Sequence, residues 1–328
     1  MTKSVRSGAV AGAIVAALVA VASSASADTA YPTKPIRLIV PFPPGGPNDV
    51  MARLVSDHLS KTWSQPVVVE NKPGAGGNLA ADFVSKSPGD GYTMMIGATG
   101  TMSVNKYLYK SLSYDPDRDL TPATMLAHSA IILTVGSQVK AQNVAELVAL
   151  SKRNPGKTNY GHPGLGTSPQ LVAAMFIQRA GIDVQAIPYR GTAAIVDALS
   201  KGEVEWQMDV MHSAIPLHKA GKVRALAVSS AERWPLFPEI PTMKEVGFPD
   251  IVASAWFCLA VQSGTPADVV KKIADEVGRG FKTAEAKQRL DNFGMLDISG
   301  TPEEAKKFVQ NQAVVWRPII ESLGTKLE

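Results

Sequence analysis

Residues 36–49 read IRLIVPFPPGGPND, an apolar run followed by a loop rich in proline and glycine. The run IRLIV is typical of a buried β-strand. A helix follows the loop, because apolar side chains recur on one helical face from residue 50 to residue 59. Asp49 is a carboxylate of the kind that a helix N-terminus stabilises. The segment therefore predicts a strand, a glycine-rich turn and an amphipathic helix in succession.

The same junction recurs along the chain, where predicted strands lead into glycine-bearing loops at residues 41–48, 71–77, 97–101, 161–168 and 189–192. Alternating strands and helices predict an α/β architecture with mainly parallel sheets. Ligands of such sheets bind beyond the carboxyl ends of the strands, and free amides at helix N-termini bind anions. The set indicates an anion site built of backbone amides and small hydroxyls. For any single loop, a tight turn is an equally good explanation.

The first 27 residues are typical of a secretory signal. Lys3 and Arg6 precede an apolar segment at residues 8–22, and Ala25 and Ala27 frame a small-residue cleavage site. The apolar segment is shorter than the roughly 20 residues that a membrane span needs. We therefore expect cleavage after Ala27, which leaves residues 28–328 as the mature periplasmic protein.

Composition excludes several classes of protein. The formal charge of +4 falls to +2 once Lys3 and Arg6 are removed, and no dense basic block remains, so nucleic acid is a poor partner. Cys258 is the single cysteine, so an intrachain disulfide is impossible, and its apolar neighbours predict a buried small side chain. The mature length suits two domains of ordinary size.

Enzyme motifs are missing from the sequence. HExxH, CxxC and GxSxG do not occur. The segment SKRNPGKT at residues 151–158 ends like a phosphate-binding loop but lacks its first glycine, and GLGTSP at residues 164–169 has proline where a dinucleotide fingerprint needs glycine. We therefore predict no catalytic residues, no metal and no cofactor.

Four isolated residues allow more than one interpretation. Asp49 and Asp209 are a conceivable acid–base pair, but nothing in the sequence brings them together, and a helix N-terminus already accounts for Asp49. Asp209, at the end of a short strand, suits a structural role and a ligand-facing role equally. His162 fits either a solvated loop or a ligand contact, and Trp256 either a cleft wall or a core.

Eight segments, which follow one another in the same order as in a known family, give the chain a resemblance to that family. It resembles the Bug family, the periplasmic substrate-binding receptors of tripartite tricarboxylate transporters. The segments include YPTKPIRLIVPFPPGGPND at residues 31–49, QPVVVENKPGAGGN at 65–78, DGYTMMIGATGT at 90–101, IPYRGT at 187–192 and SAWFCLAVQSGTPADVV at 254–270.

The resemblance implies a fold and a domain division. The fold is α/β, a two-domain periplasmic binding protein of type II (Venus-flytrap), with the ligand cleft between the domains. Domain one would comprise residues 28–128 and 253–328, and domain two residues 129–252.

The resemblance also implies positions for a ligand carboxylate, in the loops that the two domains present to the cleft. Together with His162, which the residue pattern itself suggests, the predicted ligand-binding residues are Phe42, Gly45, Gly46, Asp49, Gly76, Thr99, Thr101, His162, Thr167, Ser168, Tyr189, Gly191 and Asp209. The sequence departs from the family pattern at Pro169–Gln170, where a histidine is common, and at Val210, where an asparagine is common. Both departures fall where ligand choice is decided.

The implied function is capture of a small carboxylate-bearing ligand by domain closure, followed by delivery to the membrane subunits of a tripartite transporter. We expect a monomer without nucleic-acid partners. Two alternatives remain open at this point, because they need the same cleft: a ligand-presenting partner of a membrane histidine kinase, and an exported enzyme on the same scaffold.

Overall fold

The computed structural model of the chain describes residues 31–322 and 326–327, so the predicted signal at residues 1–27 lies outside the described part. The strands are β1 (Ile36–Val40), β2 (Val67–Asn71), β3 (Thr93–Ala98), β4 (Leu120–Gly136), β5 (Asn159–His162), β6 (Gln185–Pro188), β7 (Trp206–Val210), β8 (Val223–Val228), β9 (Ser254–Gln262) and β10 (Leu296–Asp297). The first strand–loop–helix unit is confirmed.

The helices that the structure describes connect these strands in an α/β order. They are α1 (Pro47–Trp63), α2 (Asn78–Ser85), α3 (Asn105–Leu108), α4 (Pro116–Asp119), α5 (Val144–Arg153), α6 (Ser168–Ala180), α7 (Thr192–Lys201), α8 (Met211–Lys219), α9 (Ala267–Phe281), α10 (Ala284–Asn292) and α11 (Pro302–Ser322). A 3-10 turn at Ala75–Gly77 and a π-helical turn at Gly100–Val104 precede α2 and α3. No described helix is long and apolar enough to cross a membrane.

The sheet is mixed, so the expectation of mainly parallel sheets was wrong. Two parallel triplets are present, β2-β1-β3 and β7-β5-β6. Between them lie β9 and β4, and the pairs β3–β9, β9–β4 and β4–β7 are all antiparallel. The reason is the path of the chain. It leaves the first triplet through β4 and returns through β9, and two neighbouring strands that run out and back are antiparallel.

Strand β4 belongs to both halves of the sheet. Its residues 120–130 pair with β9, whereas residues 131–136 pair with β7 and β8. The chain crosses back near Ala253, whose amide donates to the carbonyl oxygen of Ser229 at 2.9 Å. The predicted domain boundaries at residues 128/129 and 252/253 stay a prediction.

Buried aromatic side chains fix the half that contains β5 and β7. Trp206 stacks on Tyr160 with ring centroids 4.8 Å apart and meets the edge of Phe176 at 5.6 Å. Cys258 on β9 is fully buried among apolar residues, as expected. Aromatic packing therefore fills the core beside β5 and β7, and the carboxyl ends of these strands carry loops.

Candidate functional site

A cavity of about 400 Å³ lies at the carboxyl ends of the strands. Four of the five glycine-bearing loops reach it, those that follow β1, β3, β5 and β6. The loop after β2, residues 71–77, does not. Eight of the predicted ligand-binding residues line the wall, namely Phe42, Gly45, Gly46, Thr99, Thr167, Ser168, Gly191 and Asp209.

Four helices begin at this cavity: α1, α6, α7 and α8. Their N-cap residues are Gly46, Thr167, Gly191 and Val210, and none of these makes a side-chain hydrogen bond to the first turn. Thr167 has a suitable hydroxyl, but it donates to the carbonyl oxygen of Gly164 at 2.8 Å instead. The first-turn amides of an uncapped helix attract an anion, because the helix dipole places positive potential there.

Three side-chain atoms on the wall are buried and have no hydrogen-bond partner among the described residues. One is a ring nitrogen, Nδ1 of His212. The other two are donors, Nδ2 of Asn48 and Oγ1 of Thr99. Their residues are only 4% and 1% exposed. A buried donor without a partner is destabilising, so these two atoms identify where a ligand's acceptor oxygens belong. Asn48 was not among the predicted ligand-binding residues.

Asp49 supports the first loop and does not line the cavity. Its carboxylate accepts hydrogen bonds from Arg53 Nε at 2.8 Å, from the Gly45 amide at 3.1 Å and from Asn71 Nδ2 at 3.1 Å. Burial alone would raise the pKa of Asp49, but these hydrogen bonds outweigh it and hold the pKa below its ordinary value. Successive helical residues point about 100° apart, so Asn48 faces the cavity while Asp49 faces Arg53.

Gly76 and Thr101 also lie behind the wall. A Cβ atom at Gly76 would come within 2.9 Å of the hydroxyl oxygen of Tyr109 and 3.0 Å of the carbonyl oxygen of Leu165. The loop after β2 thus packs against the loop after β5. Thr101 Oγ1 accepts from the amide of Ala98 at 3.1 Å and donates to its carbonyl oxygen at 3.2 Å. Its hydroxyl closes the turn after β3, which leaves Thr99 to face the cavity.

His162 and Tyr189 are the last two predicted ligand-binding residues that do not line the cavity. His162 is 3% exposed, and its Nδ1 accepts from the amide of Gly164 at 3.3 Å. Burial lowers the pKa of His162, so the ring is neutral and fixes the loop after β5. Tyr189 lies beside Gly161, where an added Cβ atom would be 3.5 Å from the tyrosine ring.

Asp209 is a buried carboxyl at the end of β7 that lines the cavity. It accepts hydrogen bonds from Ser213 Oγ at 2.6 Å, from the Val210 amide at 2.8 Å and from Thr192 Oγ1 at 3.4 Å. Burial raises the pKa of Asp209 to about 7, and the three hydrogen bonds offset only part of this effect. All three donors are neutral, so the carboxylate has no counter-charge bonded to it.

His212 links the two sides of the cavity. Its Nε2 lies 3.4 Å from the carbonyl oxygen of Gly45, and its ring meets the edge of Phe293 at 4.7 Å. Because a carbonyl oxygen only accepts, Nε2 carries the proton. Burial lowers the pKa of His212, which keeps the ring uncharged. The sequence contained no signal for this contact beyond the position of His212 three residues after Asp209.

Apolar side chains cover much of the remaining wall, including Val196 on α7, Leu217 on α8, and Trp256 and Phe257 on β9. Trp256 is both core and wall, because its ring packs against Phe308 and its Nε1 donates to Gln312 Oε1 at 3.2 Å, while the residue also borders the cavity. Sequence reasoning missed Val196 and Leu217, since apolar residues on a helix predict a core face as readily as a pocket.

A second, more open groove of about 620 Å³ lies around Arg37, Lys72 and Phe83. Its cations are already engaged. Arg37 pairs with Glu70 at 2.6 Å, and Lys72 Nζ lies 4.5 Å above the ring of Phe83. Over residues 31–322 and 326–327 there is no group of three or more His, Cys, Asp or Glu side chains that suits a metal ion. The enclosed cavity is therefore the candidate ligand site.

Comparison with known families identifies the family of the chain. The family model described as the tripartite tricarboxylate transporter family receptor matches residues 51–325. This chain belongs to that family. The receptor is 32% identical to protein BugT of Bordetella pertussis over 316 residues, which cover 96% of this chain and 97% of BugT.

Two solved structures from Rhodopseudomonas palustris are close relatives in fold. Rpa4515, solved with adipate, has a TM-score of 0.87 and 32% identity, and the match covers 90% of this chain and 100% of Rpa4515. MatC, solved with malate, has a TM-score of 0.84 and 30% identity, with 88% of this chain and 100% of MatC covered. The receptor thus has the two-domain fold of periplasmic solute-binding proteins, and its family consists of receptors and not of enzymes.

Proposed function

We propose that the receptor captures a small carboxylate in the periplasm by domain closure and delivers it to the membrane subunits of a tripartite transporter. The observation that carries the proposal is the pair of buried, unpartnered donors Asn48 Nδ2 and Thr99 Oγ1 on the same cavity as the N-termini of α1 and α6, whose N-cap side chains make no hydrogen bond to the first turn. The relatives solved with adipate and malate support a carboxylate as the ligand class.

The capture step follows from the donors on the wall. The carboxylate oxygens accept from Asn48 Nδ2, from Thr99 Oγ1 and from the first-turn amides of α1 and α6. Donors on both halves of the sheet then converge on one anion, so the ligand binds the closed state more tightly than the open one. Closure excludes water and strengthens each of these hydrogen bonds.

The proposal includes the state of the mature protein. The charged, apolar and small-residue segments at residues 1–27 support export with cleavage after Ala27. We take the mature receptor to be a monomer that releases its ligand unchanged. Incubation with a bound carboxylate should therefore return that carboxylate chemically intact.

The experiment measures carboxylate affinity after removal of one hydroxyl. Thr99→Val keeps the shape of the side chain and removes the donor, so we expect affinity to fall about 10- to 150-fold, since a hydrogen bond to a charged group contributes about 1.5–3 kcal/mol. Adipate and malate are the first probes, measured by titration calorimetry on the mature protein.

Thr134→Val is the matched control. Thr134 on β4 is also fully buried with an unpartnered Oγ1, but it does not line the cavity. Its substitution should leave affinity unchanged. Equal affinities for wild type and Thr99→Val would refute the placement of the carboxylate, and a screen in which no carboxylate binds would refute the proposed function.

A further inference from the structure

The side-chain donors that lack a partner, Asn48 Nδ2 and Thr99 Oγ1, lie at the start of α1 and on the loop after β3, whereas the hydroxyl groups around Asp209 are already hydrogen-bonded. We infer that the ligand carries a single anionic carboxylate and an apolar body, in contrast to a di- or tricarboxylate. The inference rests on the proposed function, because it names the substrate class of that same site.

The hydroxyl groups around Asp209 are not available to a second carboxylate. Ser213 and Thr192 both donate to Asp209, at 2.6 Å and 3.4 Å. Thr167 donates to the carbonyl oxygen of Gly164 at 2.8 Å. A second carboxylate beside Asp209 would lose its hydration and gain no hydrogen bond from these three hydroxyl groups, and an uncompensated buried charge is strongly unfavourable.

Charge leads to the same conclusion. Asp209 is 1% exposed and is bonded only to neutral donors. A second anionic group beside it would bring two like charges together in a buried site. Arg190 also lines the cavity, but its side chain is exposed, and an exposed ion pair contributes little because water screens it.

An apolar body fits the surface that remains. Val196 and Leu217 are half-buried, and both border the cavity together with Val210, Trp256 and Phe257. These side chains come from four separate elements, α7, α8, β7 and β9. Val210, Trp256 and Phe257 are at most 3% exposed, so an alkyl or aromatic ligand group removes mainly its own apolar surface and that of Val196 and Leu217 from water, which is the main source of affinity in such pockets.

The test compares two probes of equal carbon chain length, hexanoate and adipate, by titration calorimetry at pH 8. Asp209 is ionised at this pH, because its pKa is about 7. Hexanoate should bind at least about tenfold more tightly than adipate, the difference expected for an unpaired buried polar group. Equal or tighter binding of adipate overturns the inference and leaves the proposed function intact. No binding of hexanoate, adipate or malate at millimolar concentration overturns both.

Two substitutions examine the two halves of the argument separately. Val196→Thr is nearly isosteric and places a hydroxyl against the apolar body, so hexanoate affinity should fall roughly five- to tenfold. Val314→Thr, on the 73% exposed Val314 of α11, is the control and should change nothing. Asp209→Asn removes the like charge, so the adipate-to-hexanoate affinity ratio should rise at least about fivefold. An unchanged hexanoate affinity in Val196→Thr, or an unchanged ratio in Asp209→Asn, overturns the inference.

Discussion

Asp209→Asn should make the stability of the receptor less sensitive to alkaline pH. Burial raises the pKa of Asp209 to about 7 in the folded protein, against about 3.9 in an unfolded chain. The folded state therefore holds this proton more tightly. The contribution of Asp209 to stability is fully present below the unfolded pKa and is lost as the pH rises through the folded pKa.

The size of the effect follows from the difference between the two pKa values. Each pKa unit corresponds to about 1.4 kcal/mol, so complete ionisation of Asp209 destabilises the fold by about 4 kcal/mol, of which about 2.5 kcal/mol falls between pH 5 and pH 8. Asparagine cannot ionise, and its Oδ1 still accepts from the Val210 amide. The Ser213 hydroxyl has a second acceptor, the Val210 carbonyl oxygen at 3.2 Å.

The assay is urea unfolding of ligand-free mature protein at pH 5 and pH 8. The free energy of unfolding of Asp209→Asn minus that of wild type should be about 2.5 kcal/mol more positive at pH 8 than at pH 5. Asp197→Asn is the control, because Asp197 is 63% exposed and pairs with Lys201 at the surface, where an ion pair contributes little to stability. A change below about 0.5 kcal/mol for Asp209→Asn would refute the reasoning.

Two further predictions concern the walls of the cavity. Asp49→Asn should lower the free energy of unfolding by about 1–3 kcal/mol at pH 7, and this loss should shrink as the pH falls through the depressed pKa of Asp49. In denaturant titrations, Asp57→Asn at an exposed position should lower the free energy of unfolding by less than about 1 kcal/mol. Equal losses for the two variants would contradict a role of Asp49 in holding the first loop. His212→Phe keeps the ring contact with Phe293 but removes the 3.4 Å hydrogen bond to the carbonyl oxygen of Gly45. Carboxylate affinity measured by calorimetry should therefore fall about two- to fivefold. An unchanged affinity would exclude a contribution of His212 to closure of the cleft.

The parts of the fold that sequence patterns predicted are those with uninterrupted local signals. Strands β1, β3 and β9 are continuous apolar runs, and α9 has a sharply amphipathic pattern. The first part of β4 escaped prediction because bulges between Pro122 and Thr124 and between Met125 and Ala127 break its alternation. Helix α8 escaped because Pro216 lies inside it, and an interior proline ordinarily argues against a helix.

The candidate site was predicted at the level of loops and less well at the level of side chains. Glycine-bearing loops identified four of the converging segments, because strand ends and helix starts have recognisable residues. Which of two adjacent polar residues faces the cavity depends on tertiary partners. Asp49 turns away because Arg53 and Asn71 hold it, and Thr101 turns back onto Ala98. The apolar wall on α7 and α8 depends on the packing of whole helices, which no local pattern encodes.

The contact between the loops after β2 and β5 has a consequence for the membrane partner. At Gly76 the two loops approach so closely that an added Cβ atom would lie 3.0 Å from the carbonyl oxygen of Leu165. Gly100 approaches the carbonyl oxygen of Gly166 in the same way, and an added Cβ atom there would also lie 3.0 Å from that oxygen. Main chain lies close to main chain at both points, so we expect these two backbone approaches, and not the bulk of the ligand, to limit how far the cleft closes. Receptors loaded with different small molecules would then share one outer surface, and a transporter that recognises this surface would accept every ligand that the cavity selects.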